Sequence, residues 1–247
     1  MRFDTRSIAS VALTLVCVAW PASAGADWIL SGFLGHAQTQ SSTIDLTLAG
    51  QSTQLQLIDV DYRGESFKSP HYYGVRATWI PEAHRWLGIE GEWIHAKVYA
   101  EVDRDVRVQG TLRGARIDAI VPFTSIAQRL SMSHGLNFIL ANVSARQGFG
   151  SQNPDGSHRM VAVVRAGVGP TMPHAESQLD NVYVEQYEGG GIGAQFGGGV
   201  ELAVWRHIGV LGEYKFTWAS PEIDVAGGQA KIPSRTHHFV FGLIYDF

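Results

Sequence analysis

The chain ends on an alternation that few folds can use. In His238-Phe239-Val240-Phe241-Gly242-Leu243-Ile244-Tyr245-Asp246-Phe247, the residues Phe239, Phe241, Leu243, Tyr245 and Phe247 occupy one face of a strand. An apolar stripe at period two suits a face turned to lipid, with Tyr245 and Phe247 in an aromatic girdle at the membrane boundary. The last strand of a soluble sandwich is the competing architecture.

The other end of the sequence agrees with export. Arg2 and Arg6 precede an apolar run from Ile8 to Trp20 and then Pro21-Ala22-Ser23-Ala24. This is the pattern of a secretory leader over residues 1–24, with cleavage expected after Ala24. The run is too short for a good transmembrane helix. Cys17 is the one cysteine, and Val16 and Val18 beside it do not fit a lipoprotein cleavage box. The exported domain, residues 25–247, is then expected to hold no disulfide and no thiolate metal site. Loss of Arg2, Arg6 and Asp4 takes the formal net charge from -4 to -5. A mildly acidic exported protein gives no electrostatic case for nucleic acid. About 220 residues without a linker, repeat or charge block suit one all-β domain.

Eight strands are predicted, over 28–38, 72–80, 86–97, 134–146, 159–170, 189–200, 208–218 and 236–247. Each is long enough to cross a bilayer at a tilt. Val75, Ala77 and Trp79 oppose Gly74, Arg76 and Thr78; Ile192, Ala194, Phe196, Gly198 and Val200 oppose Gly193, Gln195, Gly197, Gly199 and Glu201. One face is apolar and aromatic, and the other mixes Gly with charges.

That second face separates the two architectures. On a soluble sandwich, glycines among solvated charges would gain nothing. In a narrow barrel lumen, Gly makes room for long neighbours. The expected fold is therefore all-β, an eight-stranded antiparallel up-and-down transmembrane β-barrel. Arg76, Glu90, Glu92, Arg165, Glu213 and Lys215 are expected to form an ion-pair network of both signs inside it. Such a plugged lumen argues against a wide diffusion pore. Solvated surface charge is the simpler alternative for these six.

The connections alternate in length. Long or moderate segments 39–71, 98–133, 171–188 and 219–235 alternate with shorter turns 81–85, 147–158 and 201–207, of which 147–158 is the least turn-like. Long loops at one end and short turns at the other fit such a barrel. An even strand number puts both termini on the periplasmic side of a bacterial outer membrane. Stretches 52–62 and 105–112 inside the long loops are themselves β-capable.

Sequence motifs for chemistry are sparse. No His-x-His or His-Glu-x-x-His is present, and His237-His238 would face opposite sides of a strand. No metal and no cofactor is therefore expected. The Gly-rich stretch 189–199 lacks the Lys-Ser/Thr of a phosphate loop. Ser133-His134 and Ser234 with His238 place hydroxyl and imidazole close in sequence, but a hydrolase also needs an orienting carboxylate on a neighbouring strand.

The closing strand resembles that of bacterial outer-membrane β-barrels, in which a terminal Phe also serves as an assembly signal. Several further phrases resemble a small-barrel family described as lipid A oxidase-like. They are Phe67-Lys68-Ser69-Pro70-His71-Tyr72-Tyr73-Gly74-Val75-Arg76, His95-Ala96-Lys97-Val98-Tyr99-Ala100, Ser133-His134-Gly135-Leu136-Asn137, Pro173-His174 and Gly212-Glu213-Tyr214-Lys215-Phe216. The resemblance implies outer-membrane lipids and lipopolysaccharide as partners, contact with the barrel assembly machinery through the last strand, and a monomer. Its enzymatic member oxidises the proximal glucosamine of lipid A to 2-aminogluconate with molecular oxygen. Small-barrel lipid A deacylases carry a late His-x-Ser-Asn element, whereas His237-His238-Phe239-Val240 lacks the Ser.

His71, His95, Lys97, His134 and Asn137 fall near one predicted barrel rim, on three neighbouring strands. They are the candidate catalytic residues for such a lipid-modifying oxidoreductase, with Lys97 meeting a phosphate or hydroxyl and a histidine moving protons. The alternative is a non-enzymatic barrel with a structural, envelope or surface-binding role, whose rim His, Lys and Tyr anchor it at the interface.

Overall fold

The computed structural model describes residues 26–152 and 158–247. The expected leader over 1–24 lies outside the described residues, as do Asn153-Pro154-Asp155-Gly156. The chain begins with β1 (Ala26–Thr39), β2 (Ser42–Leu48), β3 (Thr53–Val60), β4 (Tyr62–Arg63), β5 (Tyr73–Pro81) and β6 (Leu87–Ala100). Then come β7 (Asp105–Leu112), β8 (Ala115–Pro122), β9 (Arg129–Gln152), β10 (His158–Leu179) and β11 (Val182–Tyr187). It finishes with β12 (Ile192–Trp205), β13 (Ile208–Ala219), β14 (Glu222–Val225), β15 (Gly228–Lys231) and β16 (Ser234–Asp246).

Eight of these close into an antiparallel barrel in the order β1, β5, β6, β9, β10, β12, β13, β16. The last strand returns to the first, with Phe33 opposite Gly242 and Leu34 opposite Phe241. Closure leaves no strand edge, so each stave satisfies its backbone groups against two neighbours. The period-two pattern decides which side chain goes where. Phe241 is 59% exposed on the outside, while Arg76 is 1% and Lys215 0% exposed on the inside. Leu30, Val75, Ile89, Val143, Val168, Phe196, Val210 and Leu243 continue the exposed apolar band around the circumference. A continuous band of this kind far exceeds the apolar patches of a water-soluble monomer. Trp28, Trp86, Trp205, Tyr245 and Phe247 are exposed at the end that carries the termini.

At the opposite end the long connections build a second, six-stranded sheet in the order β14, β15, β2, β3, β7, β8. Its buried face carries Ile44, Leu46, Leu57, Val108, Ile223 and Ala230, which share a core with Leu130, Met132 and Leu179 of the barrel strands. The β-capable stretches 52–62 and 105–112 supply β3 and β7 of this sheet, and the first of them ends at Tyr62 in β4. They form a head of their own; only the two-residue β4 joins the barrel sheet, through β6.

Two strands are much longer than the sequence pattern suggests. The predicted 134–146 and 159–170 become β9 and β10, of 24 and 22 residues. About 9–11 residues cross a bilayer at a tilt, so both strands rise into the head. The expected turn 147–158 correspondingly shortens, because the ladder runs on until Gln152 pairs with His158. The alternation that marks a lipid-facing strand stops at the membrane boundary, but the backbone pairing does not.

Candidate functional site

Two polar clusters stand out, one inside the barrel and one on its outer face. Inside, the Arg76 guanidinium lies 3.0 Å from both Glu92 and Glu213. Arg165 contacts Glu90 at 2.9 Å and also pairs with Glu213. Lys215 pairs with Glu92 and lies 3.2 Å from Glu213. Asn142 adds a hydrogen bond to Glu92 at 2.8 Å. Three cations and three carboxylates thus neutralise one another out of water, where any one of them alone would be strongly unfavourable. Glycine makes the space: a Cβ on Gly197 would sit 2.7 Å from Cβ of Lys215, and one on Gly199 only 2.7 Å from Cα of Glu213.

The second cluster begins with a bulge. Along β9, Phe138, Leu140 and Asn142 point inward and Ile139, Ala141 and Val143 outward, so simple alternation would aim His134 into the barrel. The ladder to β10 instead jumps from the Pro173–Leu136 pair to Glu176–Ser131, and the ladder to β6 jumps between Ala96 and Val98. The extra residues on β9 are at Ser133-His134-Gly135. Gly135 has φ +101, and His134 emerges exposed on the outer face. A bulge re-aims a side chain, and here it brings His134 beside β10.

On β10, His174 and Glu176 share the parity of the lipid-band residues Val164, Val168 and Met172, and they lie just beyond Met172. The β10–β11 hairpin turns through Asp180 and Asn181, both with positive φ, which matches the twist of a two-residue hairpin. That register sets His174 opposite Tyr187 and Glu176 opposite Glu185. His134 Nδ1 is 3.6 Å from Glu176 Oε1, and His174 Nε2 is 3.4 Å from Glu185 Oε1. The His134 and His174 rings meet edge to face at 4.6 Å. Burial and the neighbouring His134 hold the His174 imidazole below the usual histidine pKa. Arg129 binds the other oxygen of Glu176 at 2.7 Å, and the Tyr183 hydroxyl donates to Glu185 Oε2 at 3.0 Å.

His95 and Asn137 adjoin this cluster on neighbouring strands. The His95 ring stacks on Tyr73 at 5.0 Å, and its Nδ1 bonds the Asn137 side-chain oxygen at 2.9 Å. Asn137 in turn donates to the Met172 carbonyl at 3.0 Å, tying β6, β9 and β10 together.

The five rim candidates therefore do not lie in one cluster. His95, Asn137 and His134 gather around the β9 bulge. Lys97 is buried and donates to the Lys68 carbonyl at 2.9 Å. His71 is exposed and, among the described residues, shares no hydrogen bond or ring contact with His95 or His134. The Ser133 hydroxyl donates to the Glu176 carboxylate and its oxygen lies 3.1 Å from His134 Nδ1. His237 faces outward to Tyr214 at 2.7 Å and His238 inward to Thr217 at 2.8 Å. The residues missed from the sequence are Glu176, Glu185 and Tyr187, with His174 noted only as part of a phrase. Their signal was present: His174-x-Glu176 and Glu185-x-Tyr187 at period two, flanking an Asp-Asn turn.

No family model and no curated protein matches the chain. Among solved structures it is similar to Neisserial surface protein A at 12% identity, over 90% of this chain and 99% of that one, with a TM-score of 0.44. It is also similar to Ail, the attachment invasion locus protein of Yersinia pestis, at 10% identity, over 90% and 99%, with a TM-score of 0.40. The outer membrane protease OmpT from Escherichia coli aligns at 8% identity over 92% and 98%, with a TM-score of 0.42. Likenesses of this size transfer neither activity nor site residues.

Proposed function

We propose that the protein is an integral barrel of the bacterial outer membrane whose exterior rim cluster binds the headgroups of outer-leaflet lipid. One observation carries this reading. His134, His174, Glu176 and Glu185 stand on the outer face of the barrel, directly beyond the apolar band that ends at Met172. A side chain there meets neither the lumen nor the acyl chains. Its neighbour is the layer of sugars and phosphates at the bilayer surface. Arg129, 46% exposed, and the His134 imidazole supply donors for phosphate or hydroxyl oxygens. The ion-paired interior supports a plugged barrel and not a pore.

The test uses the purified barrel, folded in nanodiscs with and without lipopolysaccharide. Photo-crosslinking from a probe at position 134 is expected to capture lipopolysaccharide, and a probe at Ile120 on the head is expected not to. Equal capture at both positions, or none at 134, would overturn the reading.

Modification of that headgroup, the oxidation implied by the sequence resemblance, is the second reading. The observation favouring it is the gathering of proton-transfer groups, two imidazoles and two carboxylates, at one point. Mass spectrometry of lipid A from aerobic cells with and without the protein checks it, in a background supplying 1-dephosphorylated lipid A. A protein-dependent species one oxygen atom heavier is the expected product, and an unchanged profile leaves binding alone.

A further inference from the structure

Four side chains of metal-ligating type meet at the rim from three strands: His134 of β9, His174 and Glu176 of β10, and Glu185 of β11. One ligand atom from each lies within 4.8 Å of the other three. The His134–Glu176 and His174–Glu185 distances are 3.6 and 3.4 Å. Ligand atoms about 2.1 Å from a tetrahedral divalent ion are separated by about 3.4 Å, so these two pairs already have the spacing of tetrahedral edges.

The surroundings favour the same assignment. Arg129 and the Tyr183 hydroxyl occupy Oε2 of Glu176 and Oε2 of Glu185, while Glu185 Oε1 and Glu176 Oε1, the latter also accepting from the Ser133 hydroxyl, face the imidazoles. Outer-shell hydrogen bonds orient ligating carboxylates in this way. His174 is 7% exposed, and the nitrogen it turns to Glu185 is Nε2. His134 and Glu185 are the exposed members, with side chains 53% and 44% exposed, so an ion held here is open on the headgroup side.

We propose that His134, His174, Glu176 and Glu185 bind one divalent transition-metal ion at the outer rim of the barrel. Two imidazoles with two carboxylates suit zinc, cobalt, manganese or iron(II). Magnesium and calcium, which favour oxygen-only ligand sets, fit poorly. The site rests on its own ligands. Its role, presenting a Lewis acid to a phosphate or sugar oxygen, deepens the headgroup reading, and the metal test below is independent of lipid.

The experiment is a calorimetric titration of the full barrel, folded in detergent without lipid and first stripped with chelator, against Zn²⁺ and Co²⁺. One ion per barrel is expected, with Co²⁺ giving a visible tetrahedral or five-coordinate absorption band and millimolar Ca²⁺ failing to compete. His174→Ala and Glu176→Gln are expected to weaken binding at least tenfold while heat-modifiable migration persists. Should either fail to fold, His134→Ala and Glu185→Gln, at exposed positions, carry the test. Absence of one-to-one binding, or affinity unchanged in His134→Ala and Glu185→Gln, would overturn the site. Failure of lipopolysaccharide crosslinking alone would remove the headgroup role and leave the metal site standing.

Discussion

Gly135 and His95 are in contact across the β6–β9 ladder, so close that a Cβ on Gly135 would lie 2.5 Å from Nδ1 of the imidazole. The same glycine has φ +101, which side chains rarely adopt. One residue therefore makes the bulge that turns His134 outward and leaves room for the His95–Asn137 pair.

Gly135→Ala is expected to disorder the rim without opening the barrel. Strain of this kind costs about 1–3 kcal/mol, small beside a closed ladder. Heat-modifiable migration should persist while metal affinity falls by tenfold or more. Unchanged affinity would mean that the bulge does not set the position of His134.

The lumen network predicts a large penalty for breaking it from one side. Arg76→Ala leaves Glu92 and Glu213 each short of a cation. Removing one partner of a buried pair costs about 3–5 kcal/mol. Urea refolding of the barrel into lipid vesicles measures this. A loss under about 1 kcal/mol would indicate that water reaches these groups.

Placement of the apolar band is tested on the closing strand. Leu243 is 64% exposed in the band, and Ile120 is 72% exposed on the head. Leu243→Arg is expected to destabilise the membrane-folded protein by about 2–4 kcal/mol, whereas Ile120→Arg should be nearly neutral. Equal effects at the two positions would contradict the membrane assignment.

A pH dependence is expected where the head joins the β11–β12 connection. The Glu188 carboxylate accepts the Asp224 N–H at 2.9 and 3.0 Å, and burial with nearby Asp224 raises its pKa. A raised carboxyl pKa means the folded state holds the proton more tightly than the unfolded chain. The contribution is therefore full below the ordinary glutamate range and is lost as pH rises through the folded value. Urea unfolding of the membrane-folded protein across pH should show stability declining over that window. Glu188→Gln should flatten the trend, and a trend that persists in this variant would exclude Glu188 as its source.

Strand period and side-chain size are local properties, legible from the order of residues alone. Phe239, Phe241 and Leu243 alternate with Val240, Gly242 and Ile244, so once the segment is a strand its two faces follow with no knowledge of its neighbours. Gly197 and Gly199 likewise announced bulky partners, although not that these would be Lys215 and Glu213. The rim site was decided elsewhere. His134 comes from β9, His174 and Glu176 from β10 and Glu185 from β11, and their meeting depends on pairing register between segments. A bulge at Ser133-His134-Gly135 reverses the parity that alternation assigns to His134, and a reversal of this sort is invisible to any periodicity count. His71, close to the candidates in pattern, lies apart because it precedes β5 and no ladder holds it. The head is the same case at larger scale: its six short strands come from loops, and only long-range pairing makes them a sheet.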